Sequence, residues 1–210
     1  YVEFGIKEIG YSYTQEKDLK SKFPKSKICD FLIEEKVLIE VKATELSPRS
    51  GVFRSPKIMQ SDLRTTIVKA YAQLIEIANR IDSNSSFYGI IITYKEMLLG
   101  FGKDTWHEFL KDPITKFCED NNHNILAMPP ENLFFISIED WDRTVQIIKD
   151  RKASLIEVLK NAYQQNIDPD ITKRIMLFQQ ALRKYELKGY NLTYHENLLN
   201  ELDLNFSIDV

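Results

Sequence analysis

Two short apolar runs set close together constrain this chain more than any other feature: Ile28-Cys29-Asp30-Phe31-Leu32-Ile33-Glu34 and Val37-Leu38-Ile39-Glu40-Val41-Lys42-Ala43. Apolar and β-branched residues at that density, separated by a few polar ones, predict a β-hairpin. Each run carries an acid where an apolar residue is expected, and the second carries Lys42 two residues after Glu40. Side chains alternate along a strand, so Glu40 and Lys42 share a face. Burying carboxylates and an ammonium among Val, Ile and Leu is costly unless they pair with one another or bind a cation.

A metal site answers that cost. Asp30 and Glu40 are hard oxygen ligands, and Mg²⁺ favours one or two carboxylates completed by water and substrate phosphate. Mn²⁺, which takes the same ligands, is expected to substitute. Lys42 would stand beside the attacking water and the scissile phosphate. Serving as a general base would require it to give up its proton next to two carboxylates, so an electrostatic role is expected. The turn decides whether the acids meet. A two-residue turn at Glu35-Lys36 puts Phe31, not Asp30, on the face of Glu40. The predicted connection is therefore a three-residue loop, Glu34 to Lys36, or a bulge that shifts the register. The competing reading is a structural ion pair of Lys42 with either acid.

Asp30, nine intervening residues, then Glu40-Val41-Lys42 in two apolar strands resembles the PD-(D/E)XK nuclease superfamily, with Cys29 in place of the proline of the name. The resemblance covers roughly residues 14 to 138. It implies a restriction-endonuclease-like α/β fold, a mixed central sheet flanked by helices. It implies that Asp30 and Glu40 bind the ion with help from the Val41 carbonyl, and that Lys42 serves the water. RecB-like members present a glutamine or lysine from the following helix. Here the apolar repeat Leu63, Ile67, Ala70, Tyr71, Leu74, Ala78 and Ile81 predicts a helix over 62–81. Gln73 and Lys69 lie four apart on its other face and match that motif. The superfamily often carries a further upstream glutamate. Glu16, on a short helix expected over Thr14 to Phe23, is the candidate.

Between hairpin and helix lies a polar stretch from 45 to 61, and long loops in compact domains are often functional. Residues 45 to 80 carry six Lys/Arg against three Asp/Glu, in a chain whose formal net charge is −3. Arg49, Arg54, Lys57 and Lys69 are the expected phosphate contacts.

Phe87 to Tyr94 is a continuous apolar run, the pattern of a strand buried on both faces, and it is expected to run parallel to the second hairpin strand. A helix over 104–121, kinked or split by Pro113, and a strand over 133–138 complete a core at 1–138. A helical C-terminal extension, 139–210, is expected to hold a helix from Trp141 to Gln165, broken near Asp150, and another from Asp168 to Gly189. These helices are expected to cap the sheet, bind a partner or form a homodimer face. No 18-residue apolar run exists, so no membrane partner is expected. Cys29 in a strand and Cys118 in an amphipathic stretch are expected to be buried reduced thiols, no signal peptide is visible, and a cytoplasmic setting is expected. His107, His123 and His195 have no metal-ligand spacing, and no phosphate-binding glycine motif is present. The expectation is a Mg²⁺-dependent nuclease acting on DNA; the resemblance implies a setting in restriction and phage defence or in DNA repair. The alternatives are a nuclease fold that binds nucleic acid or scaffolds a complex without cutting, and a pure interaction domain.

Overall fold

The computed structural model describes residues 1–43, 56–187, 189 and 191–201. The expected hairpin is present: β2 (Phe31–Ile33) and β3 (Val37–Lys42) pair antiparallel with Phe31 opposite Ile39 and Ile33 opposite Val37. A short strand β1 (Tyr13–Gln15) adds antiparallel to β2, while β4 (Tyr88–Thr93) and β5 (Leu133–Ser137) add parallel on the other side. The result is a five-stranded mixed sheet in the order β1-β2-β3-β4-β5, flanked by helices. This is the α/β class expected from the run of strand, helix and strand.

The sheet separates two apolar layers. Leu32, Leu38, Ile91, Leu133 and Phe135 face one side, beneath the helix that runs Pro56–Asp82. Ile33, Val37, Ile39, Ile90, Ile92 and Ile136 face the other. The period-two alternation of these strands sends odd and even residues to opposite layers. The second layer is covered by α1 (Val2–Glu8) and by helices from the C-terminal part, Ile138–Lys149 and Leu155–Asn166.

In chain order the helices are α1, α2 (Glu16–Lys22), α3 (Pro56–Asp82), α4 (Gly102–Thr105), α5 (Lys111–Asn121), α6 (Ile138–Lys149), α7 (Leu155–Asn166), α8 (Phe178–Leu182) and α9 (Thr193–Glu201). Helix α3 starts six residues before the predicted Asp62, with Pro56 in its first turn, where a missing N–H costs nothing. It sits unusually close to the sheet because Gly89 faces it; a Cβ there would lie 3.1 Å from Leu74 and 2.7 Å from Met128 Sδ. Pro113 does not split the helical stretch: it lies inside α5, directly after a π-helical turn at Trp106–Leu110 that holds Phe109, the residue whose carbonyl the proline cannot bond.

Two predicted helices differ. Thr14 belongs to β1, and α2 begins only at Glu16. The helix expected from Asp168 to Gly189 is replaced by short turns and the five-residue α8. Asp168 and Asp170 spend their carboxylates on the amides of Asp170 and Thr172, bonds that compete with helical ones. Among the described residues, no helix is long and apolar enough to cross a membrane.

Candidate active site

The β2–β3 connection is the three-residue loop Glu34, Glu35 and Lys36, closed by Lys36 N–H donating to the Ile33 carbonyl at 2.9 Å. Glu34 and Glu35 take left-handed conformations, φ 50° and 54°. Ser12 steadies the loop by donating its amide and hydroxyl to the Glu34 carboxylate at 3.0 and 3.2 Å. With this register, Asp30 lies one residue past the Phe31–Ile39 pair, beside Glu40 rather than across the sheet from it. Its amide donates to the Ile39 carbonyl at 3.1 Å. Its Oδ2 accepts the Val41 amide at 2.6 Å, satisfying a β3 donor that β2 is too short to reach.

Glu40 and Lys42 point to the α3 side of the sheet, in the row that contains Leu38. Glu40 is 4% exposed. Lys42 Nζ donates directly to Glu40 Oε1. It also donates to Gln73 Oε1 at 3.3 Å. Gln73 in turn donates through Nε2 to the Ile28 carbonyl at 3.0 Å, tying α3 to the segment before β2 that carries Asp30. The second Glu40 oxygen, Oε2, is buried and has no hydrogen-bond partner among the described residues.

The electrostatics follow from burial. Desolvation pushes the Glu40 carboxyl up to about 7; the charges of Asp30 and Glu16 push the same way, and Lys42 opposes them. The Asp30 carboxyl is raised as well, chiefly by burial, against the Val41 amide and Lys42. Cys29, fully buried beside them, has its thiol raised by burial and by both acids, so it is an unreactive thiol.

The structure thus brings together Asp30, Glu40, Lys42 and Gln73. Val41 contributes its backbone here, while its side chain packs into the opposite layer. Glu16 starts α2 at the edge of this group. Its amide donates to the Asp30 carbonyl at 2.8 Å. Its carboxylate is 54% exposed and lies 3.8 Å from Lys20. Lys69 is exposed one turn before Gln73. Arg49 and Arg54 lie outside the described residues, as does the side chain of Lys57. Among the described residues, no three His, Cys, Asp or Glu side chains gather as a metal-binding group.

Two neighbours escaped the sequence reading. Thr93 and Ser137 stand level with Lys42 in adjacent parallel strands and extend its row across the sheet. Both are buried, and Ser137 Oγ donates to Asp140 at 2.9 Å. Their signal was a hydroxyl residue ending each apolar run. The chemistry available is that of two desolvated carboxylates, one with an unsatisfied oxygen, and an ammonium held in place by a carboxylate and an amide. No family model, curated protein or solved structure matches the chain.

Proposed function

We propose that this chain is a divalent-cation-dependent nuclease that hydrolyses phosphodiester bonds in DNA. The observation that carries the reading is the buried Oε2 of Glu40, which has no partner among the described residues, beside Asp30 and Lys42. A buried carboxylate oxygen without a donor is costly, and a proton or a cation relieves that cost. The donor set, carboxylate oxygens with no sulfur or imidazole, fits Mg²⁺ or Mn²⁺. Asp30 and Glu40 would hold the ion, with the Val41 carbonyl as a further oxygen. A bound Mg²⁺ lowers the pKa of water and neutralises charge on phosphate oxygens.

The chain's own residues have separate tasks. Asp30 is fixed by the Val41 amide, so its carboxylate is set in place before any ligand arrives. Lys42 supplies positive charge where negative charge grows on the phosphate in the transition state. Gln73 positions Lys42 and closes the gap between α3 and the Ile28 carbonyl. The apolar layer beneath Glu40 keeps water from screening these charges.

The direct Lys42–Glu40 contact favours a second reading, a structural ion pair inside a domain that only binds partners. One assay separates the two. Purified protein is incubated with labelled duplex and single-stranded DNA, and with RNA, in Mg²⁺, Mn²⁺ or EDTA. Cleavage that needs the cation and disappears in Glu40→Ala and Lys42→Ala is expected. Absence of cleavage on every substrate, or cleavage that survives in both variants, removes the nuclease assignment.

A further inference from the structure

The eleven residues 17–27 hold five lysines, Lys17, Lys20, Lys22, Lys25 and Lys27, against one acid, Asp18. All five are exposed. Beneath them the segment is firmly seated: Leu19 is buried in the α3-side layer and Phe23 packs against it. Phe23 N–H donates to the Leu19 carbonyl at 2.8 Å, and Ser26 N–H to the Phe23 carbonyl at 3.1 Å. Among the described residues, Lys17, Lys25 and Lys27 have no carboxylate partner, and Lys20 has only the exposed Glu16 at 3.8 Å. The five exposed lysines therefore ride on one seated segment, a lysine ridge.

The ridge ends at the candidate site from both directions. Its helix starts where Glu16 N–H bonds the Asp30 carbonyl, and its tail passes Lys27 into Ile28, whose carbonyl Gln73 holds. Lys27 is three residues from Asp30, within roughly 11 Å along even a fully extended chain. We infer that this lysine ridge is the track for the phosphodiester backbone flanking the cleaved bond, a reading that rests on the proposed nuclease function. Several exposed, flexible ammonium groups on one seated segment suit a run of phosphates and carry no base preference, so the contact is independent of sequence. An anionic membrane surface would also attract lysines. A ridge that leads into a carboxylate–ammonium pocket fits a strand of phosphates better than a bilayer.

The test measures binding of the full chain in EDTA to fluorescein-labelled 20-nucleotide duplex DNA, single-stranded DNA and RNA across a salt series. The ridge variant is Lys20→Gln/Lys25→Gln/Lys27→Gln. The control is Lys111→Gln/Lys116→Gln/Lys160→Gln, which removes the same charge from exposed sites elsewhere. The ridge variant is expected to bind duplex DNA at least about tenfold more weakly near physiological salt, with the slope of log K against log salt smaller by about 2 to 3. The control is expected to bind like wild type. Equal loss in both variants, no loss in either, or no binding by wild type overturns the proposal. So does a ridge variant that keeps DNA binding but loses binding to phosphatidylserine vesicles. The two readings fail separately. Ridge-dependent binding without cleavage removes only the nuclease assignment; cleavage with unchanged binding in the ridge variant removes only the track.

Discussion

Glu40 carries the sharpest consequence at the scale of single residues. Its carboxyl is held at about 7 in the folded chain, against an ordinary value near 4.5. The folded state therefore takes up its proton more readily than the unfolded state. Stability from this group is present at low pH and is lost as pH rises from about 4.5 through 7. Glu40→Gln keeps the shape and removes the titration. In EDTA, urea unfolding is expected to show the variant gaining on wild type across that window, by on the order of 2 to 3 kcal/mol, and then levelling. A stability difference that does not change with pH would contradict the burial argument. Gln73 offers a second residue-scale test. Gln73→Ala frees Lys42 from one of its two partners among the described residues and leaves the Ile28 carbonyl without this donor. Stability is expected to fall by about 1 kcal/mol. Cleavage is expected to fall by tenfold or more while the cation dependence stays; unchanged cleavage would show that Lys42 needs no positioning.

At the scale of elements, the site exists because a loop has three residues. Ile33 opposite Val37 leaves Glu34, Glu35 and Lys36 in the turn, and that count places Asp30 beside Glu40. Two consecutive left-handed glutamates are an uncommon way to build it. Glu35→Asn puts a residue that tolerates this conformation there, and is expected to stabilise the protein by a few tenths to about 1 kcal/mol in thermal or urea unfolding; destabilisation would mean that Glu35 makes a contact worth more than its strain. The hairpin, its register, the parallel β4 and β5, and α3 were legible because β-branched runs and a seven-residue apolar stripe repeat at the periods of strand and helix. Gln73 was legible only through the family resemblance, since its spacing alone fits any solvated helix face. Strand β1 was not legible: three residues at a sheet edge, half-buried throughout, carry no alternation. The stretch after Asp168 misled because its apolar spacing is helical while its two aspartates favour local turns. The lysine ridge is plain in the sequence, yet only the fold shows that both its ends reach Asp30.

At the scale of the whole molecule, the first and last described helices are clasped together away from the candidate site. Asp142 of α6 accepts the hydroxyls of Tyr1, at 2.7 Å, and Tyr194, at 2.5 Å, and lies 3.2 Å from His195 Nε2. Lys149 joins Glu8 of α1, at 2.6 Å, to the carbonyl of Asn191 just before α9. Asp142→Ala leaves the buried Tyr194 hydroxyl without its acceptor. It is expected to cost about 2 to 3 kcal/mol in urea unfolding while leaving cation-dependent cleavage at permissive temperature intact; a loss of cleavage without loss of stability would show that the clasp reaches the site. The second layer of the core joins the start of the chain to its C-terminal helices, and the sheet lies between that layer and the site. Candidate site and clasp are thus on opposite faces, which is why the two kinds of variant are expected to separate.

In the proposed site, Asp30 and Glu40 together accept one divalent cation. A Mn²⁺ titration followed by electron paramagnetic resonance, on wild type and on Asp30→Asn/Glu40→Gln with circular dichroism confirming the fold, measures this directly. One Mn²⁺ per chain is expected in wild type, displaced by excess Mg²⁺ and lost in the double variant. No Mn²⁺ bound by wild type, or equal binding by the folded double variant, would contradict it.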